Sequence, residues 1–307
     1  MFWAALLLLT VAALPFVIEA SRKPMNERAR KQASGAFAAL GQGITHYQWH
    51  GPDEGPVVVC VHGLTTPGFV WKGVTEVLAA RGFRVLTYDL YGRGYSDRPG
   101  GRQNPAFFAR QLNDLLRHQS VPSNAILIGY SMGGAIVASF AARESYAVRA
   151  LVLLAPAGMR VVGQGKLQRM AHMPLVSRWL MLMFYPSMLR RGLRAEAGLA
   201  GSVPGINGLQ QKEVTFRGFL PAVHNSLRGM LTDDFQHDHE TLRDRGLPVL
   251  AIWGAKDDVI PLTARDTLGQ WNPKVVHRVI ADGGHGIPYT HTVEVLETMV
   301  PFLEAAR

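Results

Sequence analysis

Serine 131 stands among glycines in the stretch Gly129-Tyr130-Ser131-Met132-Gly133-Gly134. Ahead of it runs an apolar, strand-like segment, Ala125–Ile128, and behind it Ala135–Ala142 is apolar and compatible with a helix. Strand, sharp turn and helix in that order put a hydroxyl at the apex of a strained bend, and the glycines sit where a side chain would obstruct it. A hydroxyl is a poor nucleophile until a base takes its proton, and the base needs a carboxylate to hold its tautomer. Two later stretches, each just past an apolar run, carry those groups. One is Gly254-Ala255-Lys256-Asp257-Asp258-Val259-Ile260-Pro261 and the other is Asp282-Gly283-Gly284-His285-Gly286. The chemistry these residue types could do together is attack on an acyl carbonyl. Spacing alone leaves Asp257 and Asp258 both open as the carboxylate.

The segments that must position these loops alternate in character. Ile44–Trp49, Val57–Val61, Arg84–Tyr88, the run before Ser131, Ala150–Leu154, Val249–Trp253 and Val275–Ile280 read as strands. Several are continuous apolar runs, as expected of strands covered on both faces. Helical patterns fall between them at Trp71–Arg81, Pro105–His118 and, last, Thr292–Ala306. Strand–helix alternation implies a mostly parallel sheet with right-handed crossovers. The alternation lapses over residues 159–246, a stretch rich in Met, Leu, Trp, Phe and Arg. An insertion there would lie over the C-terminal ends of the strands, where ligands bind in such sheets, and is expected to be a helical cap. Residues 43–158 and 247–307 then form the core.

With these motifs in place, the chain resembles the α/β-hydrolase superfamily, and within it the lid-bearing serine esterase and lipase-like branch that includes monoacylglycerol lipase-like enzymes. The resemblance spans roughly Gly43 to Ala306. It implies an α/β fold with a cap inserted after the sixth strand and a catalytic order of Ser131, Asp257 and His285. The acid follows from a G-x-x-D-x-x-x-P pattern, which Gly254, Asp257 and Pro261 match, and the base from the Gly-His pair before the last helix. The oxyanion hole is implied at the backbone N–H groups of Met132 and Leu64, the latter in His62-Gly63-Leu64. His62 is expected to brace that loop, and Asp89 resembles the family's structural loop aspartate. The implied activity is hydrolysis of carboxylic esters, apolar or lipid-like ones above all. A meta-cleavage-type carbon–carbon bond hydrolase or an acyltransferase could use the same triad, and a non-catalytic binding protein is the remaining alternative.

No cofactor and no metal are expected. Gly92-x-Gly94 lacks the rest of a dinucleotide fingerprint. His237-Asp238-His239-Glu240 reads as a solvated edge of the cap rather than a ligand set. The single cysteine, Cys60, lies in an apolar strand, so no intrachain disulfide is available. A net charge of +9 could suit nucleic acid, but no nucleic-acid motif accompanies it. The basic residues point to a membrane instead. Phe2–Ile18 is an uncharged apolar run, followed at once by Arg22, Lys23, Arg28, Arg30 and Lys31. We expect residues 1–20 to be a membrane anchor and 21–42 a basic juxtamembrane linker, with the catalytic domain in the cytoplasm. The competing reading is a signal peptide whose removal leaves the domain periplasmic or secreted.

Overall fold

The computed structural model describes residues 1–144, 146–159, 166–195 and 198–306. Eight strands form its sheet: β1 (Ala36–Leu40), β2 (Gly43–His50), β3 (Val57–Val61), β4 (Arg84–Tyr88), β5 (Ala125–Tyr130), β6 (Val148–Leu154), β7 (Val249–Gly254) and β8 (Val276–Ile280). Their order across the sheet is β1-β2-β4-β3-β5-β6-β7-β8. The β1–β2 and β2–β4 pairs are antiparallel and the others parallel.

The thirteen α-helices among the described residues are α1 (Phe2–Ser21), α2 (Glu27–Arg30), α3 (Lys72–Ala80), α4 (Pro105–His118), α5 (Met132–Arg143), α6 (Lys166–His172), α7 (Ser177–Ala195), α8 (Ile206–Glu213), α9 (Phe219–Leu227), α10 (Gln236–Asp244), α11 (Thr263–Trp271), α12 (Ile287–Thr290) and α13 (Thr292–Ala305). The β3 sequence Val-Val-Val-Cys-Val is buried at every position, and its pleat sends alternate residues to two separate cores. Val57, Val59 and Val61 join the core beneath α4, α5 and the cap, while Val58 and Cys60 join the core beneath α3 and α13. Helix α4 begins where the sequence signals a start. Asn104 accepts the Phe107 N–H at 3.0 Å, and Pro105 occupies the first turn, where no N–H is needed.

Two expectations about segment boundaries need correction. The stretch 21–42, expected to be linker, supplies β1, which pairs with β2 from Ala36↔Tyr47 to Leu40↔Gly43. Alanine-rich Ala36-Phe37-Ala38-Ala39-Leu40 has weak intrinsic strand preference, and the free edge of β2 decides its conformation. Residues 159–246 are also not all cap. Helix α10 packs against α5 and α11 in the core layer, leaving α6–α9 as the cap proper. The polar sequence of α10 conceals a buried face made of Asp238, His239 and Leu242. Asp238 accepts from Arg143 Nε at 2.7 Å and His239 stacks on Trp271. Those two residues are therefore packing groups rather than members of a solvated edge.

Candidate active site

The bend after β5 holds Ser131 at φ 54° and ψ −119°, a conformation L-residues rarely adopt and one that costs about 1–3 kcal/mol. The surroundings over-determine it. Ser131 N–H donates to Leu154 O at the end of β6 (2.9 Å), and Ser131 O accepts from Gly134 N–H (2.9 Å) and Ala157 N–H (3.0 Å). The glycines are there for want of room. A Cβ on Gly133 would sit 2.0 Å from Val61 O, and one on Gly129 would sit 2.4 Å from Gly133 O. The hydroxyl is thereby carried on a rigid corner between β5 and α5.

The carboxylate and imidazole loops are tied to each other before either reaches the serine. Ala255 N–H donates to Ile280 O at 2.9 Å and Lys256 N–H to Gly283 O at 2.8 Å. Gly254 permits this approach, since a Cβ there would meet Gly283 O at 2.4 Å. Asp257 Oδ1 accepts two backbone N–H groups, Val259 and Ile260, both at 2.8 Å. Its Oδ2 accepts His285 Nδ1–H at 2.8 Å, and His285 Nε2 lies 3.0 Å from Ser131 Oγ. Because a carboxylate can only accept, Nδ1 carries the proton and Nε2 is free to take one from the serine. Asp258 is exposed and Asp257 buried, so geometry selects the first of the two adjacent aspartates as the partner of His285. The Tyr130 ring flanks the imidazole at 5.3 Å between centroids.

The loop after β3 lies against this corner. A Cβ on Gly63 would stand 3.1 Å from Ser131 Cβ, which places His62-Gly63-Leu64 beside the hydroxyl. Among the described residues, neither the Leu64 nor the Met132 N–H donates to another protein group. Met132 also opens α5, whose first N–H groups have no partner within the helix and favour negative charge. His62 is fully buried and braces the loop. Its Nδ1–H donates to Gly63 O at 2.8 Å, and its Nε2 accepts Leu90 N–H at 2.9 Å. Burial pulls its pKa to about 4, so it is neutral at pH 7. Asp89 stitches the neighbouring loop, accepting Gly68 N–H (2.8 Å), Tyr95 N–H (2.9 Å) and His46 Nδ1–H (2.7 Å). Burial works to raise its carboxyl pKa, but His46 and the other donors prevail and hold it below the ordinary value.

One residue of this site was not visible in the sequence. Arg93, within the Gly92-x-Gly94 loop, is fully buried and spans from the loop after β3 to the cap. Its Nε donates to Leu64 O at 3.0 Å, Nη1 to Tyr91 O (2.9 Å) and Gln103 Oε1 (2.7 Å), and Nη2 to Ser226 Oγ of α9 at 2.8 Å. Only the flanking glycines hinted that a large side chain must turn inward there.

The cap rests on both halves of the site. Gln210 Nε2 of α8 donates to Thr66 Oγ1 at 2.7 Å, and Ser202 N–H donates to Tyr289 O at 2.8 Å, just past His285. Met181, Leu182 and Tyr185 of α7 are buried in the core beneath the cap. A cavity of about 520 Å³ opens between Pro67–Trp71 and the cap segment from Val203 to Phe216. Ser131, Asp257 and His285 are not among the residues that line it.

A mostly parallel sheet with a serine at the β5–α5 corner, and a carboxylate–imidazole pair carried on the loops after β7 and β8, is an α/β-hydrolase architecture. A family model of the alpha/beta hydrolase fold matches residues 56–292, and the chain belongs to that family. Among its relatives is an uncharacterized protein of Mycobacterium tuberculosis, 28% identical over 223 residues; the match covers 68% of this chain and 64% of that protein's length. A 2-hydroxymuconate semialdehyde hydrolase of Pseudomonas putida is 27% identical over 266 residues, covering 84% of this chain and 90% of the relative. The crystal structure of an enol-lactonase from Burkholderia xenovorans superposes with a TM-score of 0.74 at 19% identity, covering 88% of this chain and all of that one.

The two adjacent carboxylates can be told apart kinetically. Asp257→Asn is expected to lower kcat for hydrolysis about 10³–10⁴-fold, because an amide in that place can favour the wrong imidazole tautomer. Asp258→Asn should leave kcat within about twofold, as surface changes away from a site usually do. Steady-state kinetics on both variants, with thermal unfolding to confirm that each is folded, makes the comparison.

Proposed function

We propose that this protein is a serine hydrolase that cleaves carboxylic esters, apolar or lipid-like ones in particular, through an acyl-enzyme intermediate. The observation that carries the proposal is the unbroken relay from Asp257 Oδ2 through His285 to Ser131 Oγ, with contacts of 2.8 and 3.0 Å. Ser131 Oγ attacks the ester carbonyl while His285 Nε2 takes its proton, and Asp257 stabilises the resulting imidazolium. The N–H groups of Leu64 and Met132 receive the oxyanion. His285 returns the proton to the departing alcohol, then activates a water that releases the acid and restores the serine. The preference for apolar acyl groups is supported by a cap rich in Met, Leu and aromatic residues and by the apolar helix α1 beside it.

Helix α1 is 20 residues long and apolar enough to cross a membrane by length and composition. It supports membrane attachment with the catalytic domain on the side of the basic cluster that follows, taken to be the cytoplasm. The periplasmic or secreted alternative requires cleavage of α1, which the mass of the mature protein would reveal.

A second reading keeps the triad but changes the bond. Similarity to the Pseudomonas putida semialdehyde hydrolase favours carbon–carbon cleavage of a dienoate-type substrate as the alternative. A panel of p-nitrophenyl esters of short, medium and long acyl chains, run beside a ring-cleavage dienoate, separates the two. The proposal expects ester turnover that rises with acyl length and fluorophosphonate labelling confined to Ser131. Turnover of the dienoate alone would transfer the assignment to the alternative, and absence of labelling would remove both.

A further inference from the structure

Helix α1 contains a proline, and the consequence is written into the cap. Pro15 has no N–H, so the Val11 carbonyl, four residues earlier, loses its partner within the helix. In hydrocarbon an unsatisfied carbonyl costs several kcal/mol. Here the Trp179 indole N–H of α7 donates to Val11 O at 3.1 Å. Pro15 itself is buried, whereas nearly all of α1 outside it and Glu19 is exposed. Arg178, next along α7, holds its guanidinium 6.0 Å from the Phe16 ring. Further on, Pro186 and Arg190 of α7 share a groove with Ile18, Ser21 and Arg22. The middle of α1 thus meets the start of α7, and its C-terminal end shares the groove with the later α7 residues Pro186 and Arg190.

That register sets the level of everything near it. From Val11 to Ser21 is about 15 Å along the helix axis. At the Ser21 end the cap is basic, with Arg22, Lys23, Arg190, Lys212 and Arg217 gathered around the α1–α8 junction. Glu19 and Arg22 lock that end, Glu19 Oε1 accepting Gly218 N–H at 2.6 Å and Arg22 Nη1 donating to Val214 O at 2.6 Å. At the other end, the turn before α7 presents Met173, Leu175 and Val176 to the outside, Leu175 wholly so. It precedes Trp179, so it lies level with the free apolar half of α1. Phe184 is exposed on the same helix and touches Trp179.

We propose that the cap enters the bilayer together with α1: the Met173–Val176 turn sits among acyl chains, and the basic collar at the Ser21 end meets anionic lipid headgroups. This rests on α1 being retained and membrane-inserted, as read above. An apolar turn and a basic collar separated along one helix pair match the two layers of a lipid leaflet, acyl below and phosphate above, with the Arg178 guanidinium between them reaching along α1 to Phe16. The cap is then a second membrane contact, and the site it covers opens near the surface from which an apolar ester would arrive.

The sole cysteine, Cys60, is fully buried, so a single introduced cysteine can be labelled selectively. Full-length protein carrying an NBD fluorophore at Leu175→Cys, Leu7→Cys or Asp53→Cys is reconstituted in phosphatidylcholine–phosphatidylglycerol vesicles, with and without doxyl-labelled lipid. The expected result is a blue-shifted emission quenched by doxyl lipid at positions 7 and 175, and a water-like emission at 53, on the opposite rim of the sheet. Lipid quenching at 7 with water-like emission at 175 would overturn the proposal while leaving α1 in the membrane. Water-like emission at both would overturn the membrane reading and the proposal with it. A blue shift at 175 that doxyl lipid fails to quench would assign the turn to a protein partner instead. In Trp179→Phe, which keeps a ring but leaves Val11 O open, the quenching at 175 is expected to be lost while that at 7 persists; undiminished quenching there would remove the indole contact as its cause.

Discussion

Ser131→Ala is expected to lower kcat for ester hydrolysis by about a million-fold, with the thermal unfolding midpoint nearly unchanged. The size follows from the chemistry. Without Oγ there is no acyl-enzyme, and what remains is the stabilisation that the oxyanion donors can lend to direct attack by water, roughly 10³-fold over the uncatalysed reaction. The fold should tolerate the change because Ser131 is held by its backbone, through Leu154 O, Gly134 N–H and Ala157 N–H, and none of those bonds uses the side chain. Alanine inherits the same positive φ, so no strain is released. Fluorophosphonate labelling must disappear in the same variant. Hydrolysis within tenfold of the parent would refute the nucleophile and, with it, the proposed reaction.

The second large effect is expected at Arg93. Replacing it with methionine preserves much of its volume but strands Leu64 O and Tyr91 O in a buried space, while Gln103 Oε1 keeps the Ser226 hydroxyl at 2.6 Å. Leaving buried polar groups unpaired costs about 1–3 kcal/mol each, and relaxation recovers part of this, so a loss on the order of 3 kcal/mol is expected. A purely structural residue would do no more than that. Arg93 also holds the carbonyl of Leu64, whose N–H is proposed to receive the oxyanion, so kcat per active site should fall about tenfold or more. Fluorophosphonate titration counts folded sites and separates the two effects. Arg93→Lys retains the charge without the planar fork and should recover only part of either loss. A kcat per titrated site equal to the parent's would confine Arg93 to stability.

How much of this could be read before folding depends on the range of the interaction involved. The β5–α5 corner shows as a local pattern, an apolar run, small residues, then a helical run, although the crowding that requires Gly133 comes from Val61 O of β3. The buried strands β3, β5 and β7 announced themselves by continuous apolar runs. Strand β1 did not, since five residues with three alanines take their conformation from a neighbour's open edge. Helix α10 was hidden for the opposite reason, its polar residues Asp238 and His239 being buried against Arg143 and Trp271. Spacing alone did not separate Asp257 from Asp258, and the choice of Asp257 rested on the family pattern, because adjacent carboxylates differ only in which one meets Val259 N–H, Ile260 N–H and His285.

The sequence by itself determined the order of elements and marked the serine corner and the carboxylate and imidazole loops, because the apolar runs and small-residue turns that announce them are local patterns. Only the tertiary structure decided that Arg93 would tie the Leu64 loop to the cap and that Trp179 would complete the hydrogen bond Pro15 leaves open. Those pairs join segments far apart along the chain, and no periodicity records them. The Arg93 bonds draw their energy from burying donors and acceptors together, a condition met only once the sheet and cap have closed around them, whereas the Trp179–Val11 bond lies on the exposed face of α1.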